Sequence, residues 1–261
     1  MKPYYDHDGI VIYHADNREV FSALEPASFD LVITSPPYNL GGAPWPHLGN
    51  WKPGDGAGGR SKWRNGSDAG AGIQYGAHDD AMPWQEYVSW QRETLTTLWR
   101  LITERGAIYY NHKPRVVGAR VWLPLELNPD LPLRQIVVWR RAGGMNFNPT
   151  CYLPMHEWVM VFAKPAFRLR SKGASGAGDV WDIAQESNTP HPAPFPIRLP
   201  MTAIETTDAR RVLDPYCGWG TTLVAAKQRR IQAVGIDKDE RNCELAARRL
   251  AQDILPLEVT A

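Results

Sequence analysis

Short apolar runs separated by polar segments divide the chain into alternating strands and helices. Runs rich in Ile, Val and Leu predict buried strands over residues 9–13, 29–33, 107–110, 134–139, 156–162, 211–214 and 233–237. Apolar residues at helical spacing predict helices over residues 17–27, 84–102, 114–127, 196–207 and 221–230, and another after Asp239. Strands that alternate with helices indicate an α/β fold, built on a mostly parallel sheet with helices on both faces.

The helix over residues 84–102 has a clear amphipathic pattern. Its predicted inner face consists of Trp84, Tyr87, Val88, Gln91, Leu95, Leu98, Trp99 and Ile102. We expect Asp79 or Asp80 to cap the start of this helix and Gly106 to end it.

Between residues 39 and 82 the alternation of elements stops. Gly, Pro, Asn, Asp and Ser dominate this segment, which also carries Trp45, Trp51, Trp63, Lys52, Arg60, Lys62 and Arg64. Loops of this length are usually functional or disordered. Because this loop begins beside Tyr38, we interpret it as an active-site loop that orders on a polymeric substrate; the alternative is a flexible surface insertion. A shorter basic loop is predicted at residues 166–179, and we expect residues 1–261 to form a single domain.

The overall composition narrows the class of protein. A formal net charge of +1 over 261 residues gives no sign of a nucleic-acid partner, which would have to bind local clusters of Lys and Arg. The three cysteines form no disulfide framework and show no metal-ligand spacing, so no metal is expected. The N-terminal residues lack a signal core, and the apolar runs are shorter than a membrane span. We therefore expect a soluble, cytoplasmic protein.

A glycine-rich turn in the last third of the chain predicts a nucleotide-like cofactor. Gly218 and Gly220 lie between a predicted strand and helix, where they let the backbone turn tightly and approach a ligand. Asp237 ends the next strand, at the place where α/β nucleotide sites put an acid on ribose hydroxyls. Leu223 replaces the third glycine of G-x-G-x-x-G, so the turn fits S-adenosylmethionine, which has no phosphates, better than the dinucleotide of a dehydrogenase. The remaining alternative is a strand-turn-helix unit with incidental glycines.

The residues Ser35, Pro36, Pro37 and Tyr38 follow a buried strand, at the sheet edge where ligands of open α/β sheets bind. The two prolines fix φ and remove two amide donors, which leaves a stiff segment rich in acceptors. Such acceptors can hold the N–H groups of an exocyclic base amine while its lone pair attacks a sulfonium methyl, and the Tyr38 ring can stack on the base. The base must leave the duplex to be reached. Taken alone, the segment is a proline turn; a cytosine-C5 mechanism is disfavoured because no Pro-Cys dipeptide occurs.

With both segments present, the chain resembles the amino-methyltransferases of DNA, in the permuted motif order of the beta class. The segment from Thr34 to Tyr38 comes first and the segment from Asp214 to Thr222 comes last. Further segments similar to this family are residues 29–33, 156–165, 180–183 and 191–196. The resemblance implies a Rossmann-like, S-adenosylmethionine-dependent methyltransferase fold with circularly permuted motif order.

The same resemblance implies the functional residues. Ser35, Pro36, Pro37 and Tyr38 would carry the amine chemistry. The implied cofactor-binding residues are Asp16, Phe195, Asp214, Tyr216, Gly218, Gly220, Thr221 and Asp237. Two positions depart from the family pattern: Tyr216 replaces the usual Phe, and Trp219 replaces a small residue such as Ser. The Trp219 ring must therefore point away from the cofactor or reshape the pocket.

The resemblance also implies the substrate. Ser at the first position of the catalytic tetrapeptide is typical of members that act on cytosine N4, and Asp is typical of members that act on adenine N6. We therefore expect a site-specific DNA methyltransferase acting on N4 of a flipped-out cytosine; the alternatives are the same reaction on adenine N6 and a catalytically silent DNA-binding protein of this fold.

DNA is the expected partner of such a protein, which would be bacterial, archaeal or phage-encoded. We expect it to contact the loop cations named above, together with Arg140, Arg141, Arg168, Arg170 and Lys172. A homodimer and a cognate restriction endonuclease are further possible partners.

Overall fold

A nine-stranded mixed sheet forms the centre of the computed structural model, which describes residues 1–39, 82–117, 120–141, 151–186 and 195–252. The strands are β1 (Tyr5–His7), β2 (Ile10–His14), β3 (Phe29–Thr34), β4 (Ile102–His112), β5 (Arg115–Val117), β6 (Arg120–Trp122), β7 (Leu133–Arg140), β8 (His156–Ala163), β9 (Val180–Asp182), β10 (Arg211–Asp214) and β11 (Gln232–Asp237). The order across the sheet is β1-β2-β11-β10-β3-β4-β8-β7-β9, and β5 pairs with β6 in a separate hairpin.

The strands from β2 to β4 in this order are parallel, as the alternation of strands and helices predicts. β8 is antiparallel to both β4 and β7, and β1 is antiparallel to β2. Parallel strands need helical crossovers, and these helices cover the sheet on both faces. The expected α/β fold with a mostly parallel sheet is confirmed.

The helices are α1 (Asn17–Phe21), α2 (Trp84–Leu101), α3 (Arg198–Glu205), α4 (Thr221–Gln228) and α5 (Glu240–Ala251). Side chains that alternate along β3 separate two hydrophobic clusters. Leu31 and Ile33 belong to the cluster that contains buried residues of α3, α4 and α5. Val32 belongs to the cluster on the other face, which contains buried residues of α1 and α2. The period of two along a fully buried strand thus assigns the helices to the two faces.

Two predicted elements were wrong. Residues 114–127 were expected to be mainly helical, but they form the β5–β6 hairpin followed by a 3-10 helix at Pro124–Leu127. Val116 and Val121 favour the pleated backbone of the hairpin, and Pro124 cannot continue a helix that began before it.

The end of α2 also differs from the prediction. α2 ends at Leu101, because the β-branched Ile102 adopts an extended backbone and begins β4. Gly106 lies inside β4, at a bulge where the pairing with β3 shifts between Phe29 and Leu31. A Cβ on Gly106 would lie 2.8 Å from the Ile102 Cβ, so the bulge requires a glycine.

Several expectations fall on residues outside the described ranges. These are the long loop with its tryptophans and cations, the capping residues Asp79 and Asp80, and residues 191–194 of the segment leading to the cofactor turn. Pro83 occupies the position before the first turn of α2. Within the described ranges, no helix has the length and apolar composition needed to span a bilayer.

Candidate active site

One cavity of about 570 Å³ lies where parallel strands end at the same edge of the sheet. The residues that follow β2, β11, β10 and β3 all reach it, because the carboxyl ends of adjacent parallel strands meet at one edge. Nine of the predicted site residues line it: Asp16, Ser35, Pro36, Pro37, Phe195, Tyr216, Gly218, Thr221 and Asp237. Segments that are nearly 200 residues apart in the sequence therefore share one cavity of the size usual for ligand sites.

Three predicted residues, Tyr38, Asp214 and Gly220, lie outside the cavity lining. Asp214 is fully buried behind the wall, where its carboxylate accepts hydrogen bonds from Thr34 Oγ1 (2.8 Å) and Thr222 Oγ1 (2.6 Å). Burial raises the pKa of Asp214 to about 6, and the two threonine hydroxyls act in the opposite direction. Asp214 thus connects the end of β3, from which Ser35 follows, to the first turn of α4.

The glycine-rich turn is held in a conformation that requires glycine. Gly218 and Gly220 have φ values of 51° and 85°. A Cβ on Gly220 would also lie 2.8 Å from the Cβ of Ala246 on α5, so both the backbone angle and the packing exclude other residues. The expected tight turn at the start of α4 is therefore present.

Asp237 organises this turn from the end of β11. Its Oδ2 accepts from the Gly218 amide (2.9 Å), while its Oδ1 accepts from the Asp239 amide (2.9 Å) and from Asn242 Nδ2 (3.1 Å). Burial raises the pKa of Asp237, whereas these donors lower it. The carboxylate lies on the cavity wall with its position fixed by three donors.

Across the cavity, Asp16 is bound by Arg18. The guanidinium of Arg18 donates to both carboxylate oxygens, at 2.9 and 2.7 Å, and the Arg18 amide donates to Oδ1 at 3.0 Å. The side-chain hydrogen bonds from Arg18 hold the pKa of Asp16 below its usual range. Asp16 is also the N-cap of α1, so one residue both caps this helix and lines the cavity.

The charged groups of the lining are mainly acidic. Its carboxylates belong to Asp16, Glu86, Glu93, Asp237 and Asp239, whereas its cations are Arg18 and Lys238. A cofactor with a sulfonium and an ammonium group suits this lining, and a pyrophosphate does not. The acidic lining and the volume of the cavity thus fit S-adenosylmethionine and disfavour a dinucleotide.

The Ser35–Tyr38 segment lies between the cavity and a polar cluster at the ends of β4 and β8. The Tyr38 ring stacks on His112 with ring centroids 4.3 Å apart, and its hydroxyl contacts Ser35, Asn111 and Glu157. Tyr87 on α2 donates a 2.9 Å hydrogen bond to the Pro37 carbonyl. The segment is therefore held on both sides, while Ser35, Pro36 and Pro37 face the cavity.

Burial of this polar cluster also lowers the pKa values of two basic groups. It lowers the pKa of His112 well below the usual value, and it lowers the pKa of Lys113 to about 8. The His112 Nδ1 accepts from the Lys113 amide (2.9 Å), so the Nε2 carries the proton and donates to the Tyr87 hydroxyl (2.8 Å). A neutral His112 thus orients Tyr87 toward Pro37.

Comparison with known proteins identifies the family. The family model for DNA methylases of the N6/N4 type matches residues 29–248. The chain belongs to this family of DNA methylases. It is therefore an enzyme that uses S-adenosylmethionine and acts on DNA, as the two motifs predict.

Individual relatives agree with this family. The type II methyltransferase M.ScaI of Streptomyces caespitosus is 23% identical over 95% of this chain and 84% of its own length. M.BglII of Bacillus subtilis is 24% identical over 90% of this chain and 67% of its own length. The chain also resembles the cytosine-N4-specific PvuII DNA methyltransferase in structure, with a TM-score of 0.71, 15% identity and coverage of 97% and 90% of the two chains. A DNA modification methylase of Thermus thermophilus, solved with S-adenosyl-L-methionine, gives a TM-score of 0.61, with 20% identity and 92% coverage of each chain.

Trp219, the departure from the pattern of this methylase family, lines the cavity and is only 9% exposed. The Arg249 guanidinium lies 3.8 Å from the centre of its ring, and Arg249 Nη1 donates to the Trp219 carbonyl at 3.0 Å. α5 thus covers one face of the indole, which explains how the bulky ring is accommodated: it is part of the cavity wall.

Sequence reasoning missed the contribution of α2 to the methylase cavity. Glu86, Ser89, Trp90 and Glu93 line it, and their spacing of three, four and seven residues places them on one face of the helix. Trp90 meets Tyr216 edge-on with ring centroids 5.8 Å apart. This second stripe was available in the sequence, but the stronger apolar pattern of the helix concealed it.

Four of the five predicted DNA-contacting cations within the described ranges have partners in the protein; Lys172 is exposed, and its side chain forms no hydrogen bond or ion pair with another described residue. Arg140 pairs with Asp182, Arg141 lies 3.2 Å from Glu157, and Arg170 donates to the Glu205 carbonyl. Arg168 donates to the carbonyls of Pro165 and Phe167. Any contact of these residues with DNA has to compete with these bonds.

Proposed function

We propose that this methylase transfers the methyl group of S-adenosylmethionine to N4 of cytosine at a specific site in DNA, with the cytosine flipped into the cavity. One observation carries the proposal: the Ser35 hydroxyl and the Asp237–Gly218 turn face the same cavity. A methyl donor at the turn and an amine at Ser35 would then be close neighbours. The Ser that begins the catalytic tetrapeptide supports cytosine over adenine.

On the cofactor side, we assign the cavity-lining residues to S-adenosylmethionine. Asp237 would accept hydrogen bonds from the ribose hydroxyls, because its carboxylate is held at the cavity wall by three donors. Asp16, Phe195, Tyr216 and Thr221 would surround the rest of the cofactor. Gly218 allows close approach of the backbone.

Asp214 and Gly220 have a different role in this proposal. They shape the turn from behind the wall and do not contact the cofactor.

The amine chemistry belongs to Ser35 and to the carbonyls next to it. S-adenosylmethionine supplies a methyl group on a sulfonium centre. Acceptors at Ser35 hold the N–H groups of the cytosine amine, so that the nitrogen lone pair is directed at that methyl group. Pro36 and Pro37 keep the loop stiff, and Tyr87 fixes it through the Pro37 carbonyl. The proposed transfer relies on the positioning of two bound reactants and needs no covalent intermediate.

The test is methyl transfer from labelled S-adenosylmethionine to DNA, followed by analysis of the nucleosides. We expect N4-methylcytosine; N6-methyladenine as the sole product would transfer the proposal to adenine. Ser35→Ala should lower the single-turnover rate at least 100-fold while cofactor affinity by calorimetry changes less than threefold. The matched control is Ser28→Ala, a partly exposed serine whose hydroxyl donates to the Glu25 carbonyl. A wild-type protein that binds the cofactor but methylates no DNA would instead support the catalytically silent alternative.

A restriction-modification system is the proposed biological setting of this methylase. The relatives named above are type II methyltransferases, so we include a cognate restriction endonuclease in the proposal. Sequencing of DNA from cells that express the protein would report the modified base together with its sequence context, and protection of that sequence from cleavage would identify the partner specificity. Light scattering of the purified protein would decide between a monomer and a homodimer.

A further inference from the structure

A continuous chain of hydrogen bonds leads from the cavity to a buried carboxylate on β8. Ser35 Oγ lies 2.9 Å from the Tyr38 hydroxyl, which donates to Glu157 Oε2 at 3.0 Å. Asn111 Nδ2 donates to the same Tyr38 oxygen at 2.7 Å and to the same Glu157 oxygen at 2.8 Å. Glu157 is only 6% exposed, so it does not contact the cavity itself.

The direction of each proton in this chain follows from counting donors and acceptors. A carboxylate has no proton to donate, so the single proton of the Tyr38 hydroxyl must point to Glu157. Tyr38 can then only accept from Ser35, which means that the Ser35 proton points away from the cavity. Asn111 Nδ2 also lies 3.5 Å from Ser35 Oγ, but its two protons serve the shorter bonds to Tyr38 and Glu157, so the lone pairs of Ser35 Oγ can still accept a hydrogen bond from a ligand.

The neighbours of Glu157 support the ionised form on which this count depends. Arg141 Nη1 lies 3.2 Å from its Oε1, and Asn111 donates to its Oε2. The amide of Asn111 has one sensible orientation, because rotating it by 180° would place an oxygen 2.8 Å from the carboxylate. Among the described residues, the Asn111 Oδ1 has no hydrogen-bond partner in this orientation, so the amide group is held there by its donor side alone.

Building on the proposed function, we infer that Glu157 is a specificity-determining positioning residue that makes the site accept an exocyclic amine and reject a carbonyl at the same position of the base. Cytosine and uracil differ at this position, as do adenine and hypoxanthine. An amine can donate a hydrogen bond to the lone pairs of Ser35 Oγ. A carbonyl oxygen would also present lone pairs to Ser35 Oγ, so no hydrogen bond could form between the two oxygens. Glu157 exerts this selection through Tyr38 without touching the base.

The direct test measures binding and does not require turnover. Two unmethylated DNA duplexes carry the sequence that the enzyme recognises, one with cytosine and one with uracil at the target position. They compete for the protein in the presence of S-adenosylhomocysteine. For an adenine target, hypoxanthine replaces uracil. We expect wild type to favour the amine base at least tenfold, and Glu157→Gln to narrow the preference to threefold or less. A Gln nitrogen in the place of Oε2 can donate to Tyr38 once the Asn111 amide turns its Oδ1 toward that nitrogen; Tyr38 can then donate to Ser35, which frees the Ser35 proton to bond a carbonyl. Any mismatch effect of uracil is common to both proteins and cancels in the comparison.

Two further variants separate this role from a structural one. Tyr38→Phe removes the hydroxyl but keeps the ring that stacks on His112, so it should narrow the preference as much as Glu157→Gln. The double variant should show the same preference as either single variant, because both break one chain. Glu126→Gln is the matched control: this carboxylate accepts from the indoles of Trp84 and Trp122, away from the cavity, and its loss should leave the preference unchanged.

The outcomes distinguish the inference from the proposed function. A wild-type protein that transfers no methyl group to DNA would overturn the proposed function. A wild-type protein that is active and amine-selective, with Glu157→Gln equally selective, would overturn the inference alone. If Glu157→Gln does not fold, Tyr38→Phe decides the question on the same criterion.

Discussion

Gly220→Ala should destabilise the protein strongly, through two effects that the structure separates. The φ of Gly220 is 85°, and an alanine in the left-handed region costs about 1–2 kcal/mol. The new Cβ would lie 2.8 Å from the Ala246 Cβ and 3.3 Å from the Ala246 Cα, so α5 would have to move; overpacking of this kind typically costs about 1–3 kcal/mol. The expected loss in unfolding free energy is therefore about 2–5 kcal/mol.

Thermal unfolding followed by circular dichroism measures this loss. For a chain of this size each kcal/mol lowers Tm by about 2–4 °C, so we expect a decrease of roughly 10 °C. Gly176→Ala is the matched control, since nothing lies within 4 Å of its added Cβ and its φ is not positive. Adding Ala246→Gly to Gly220→Ala should recover part of the loss, because it removes the clash and leaves the backbone strain. Equal melting temperatures for Gly220→Ala and Gly176→Ala would refute the reasoning.

Two other predictions concern Asp214 and Arg249, which lie behind the cavity wall. Burial raises the pKa of Asp214 to about 6 in the folded protein against about 3.9 unfolded, so the folded state is favoured below pH 4 and loses about 3 kcal/mol as the pH rises through 6. Asp214→Asn should flatten this decrease in urea titrations between pH 4 and 6, and an unchanged slope would contradict the assignment. Arg249→Met should weaken binding of S-adenosylmethionine about three- to tenfold in calorimetry, because it uncovers the Trp219 ring. Arg248→Met, on the same helix and paired only with Glu244 among the described residues, should bind like wild type.

The sequence predicted those parts of the fold in which the hydrophobic pattern is compatible with only one kind of secondary structure. β3, β10 and β11 are short and mostly buried, so their apolar runs predicted them directly. The hairpin of β5 and β6 was missed because its alternation covers only three residues a strand, too few to distinguish from a helical pattern.

In the candidate site, too, the sequence predicted residues with a local signal and missed roles that depend on tertiary structure. Asp237 and Gly218 were predicted because strand ends and glycines carry a local signal. Glu157 was visible in a segment similar to the family, but its link to Ser35 depends on the antiparallel pairing of β8 with β4, which no local pattern records. Asp214 was predicted to contact the cofactor, but it lies behind the cavity wall. The sequence locates the end of a strand, but it does not show in which direction the last side chain points.

The order of strands in the sheet has a consequence for synthesis on the ribosome. β1 and β2 form one part of the sheet, and β3, β4, β8, β7 and β9 form another; in the described chain, only β10 and β11 join them. These two joining strands are translated after all the strands that they join. A nascent chain can therefore assemble two separate pieces, each with an exposed parallel edge, but it cannot unite Ser35 with Asp237 until β11 has emerged. Under the proposed function, chains that lack β10 and β11 would carry Ser35 without the Asp237–Gly218 turn, so they would not modify DNA.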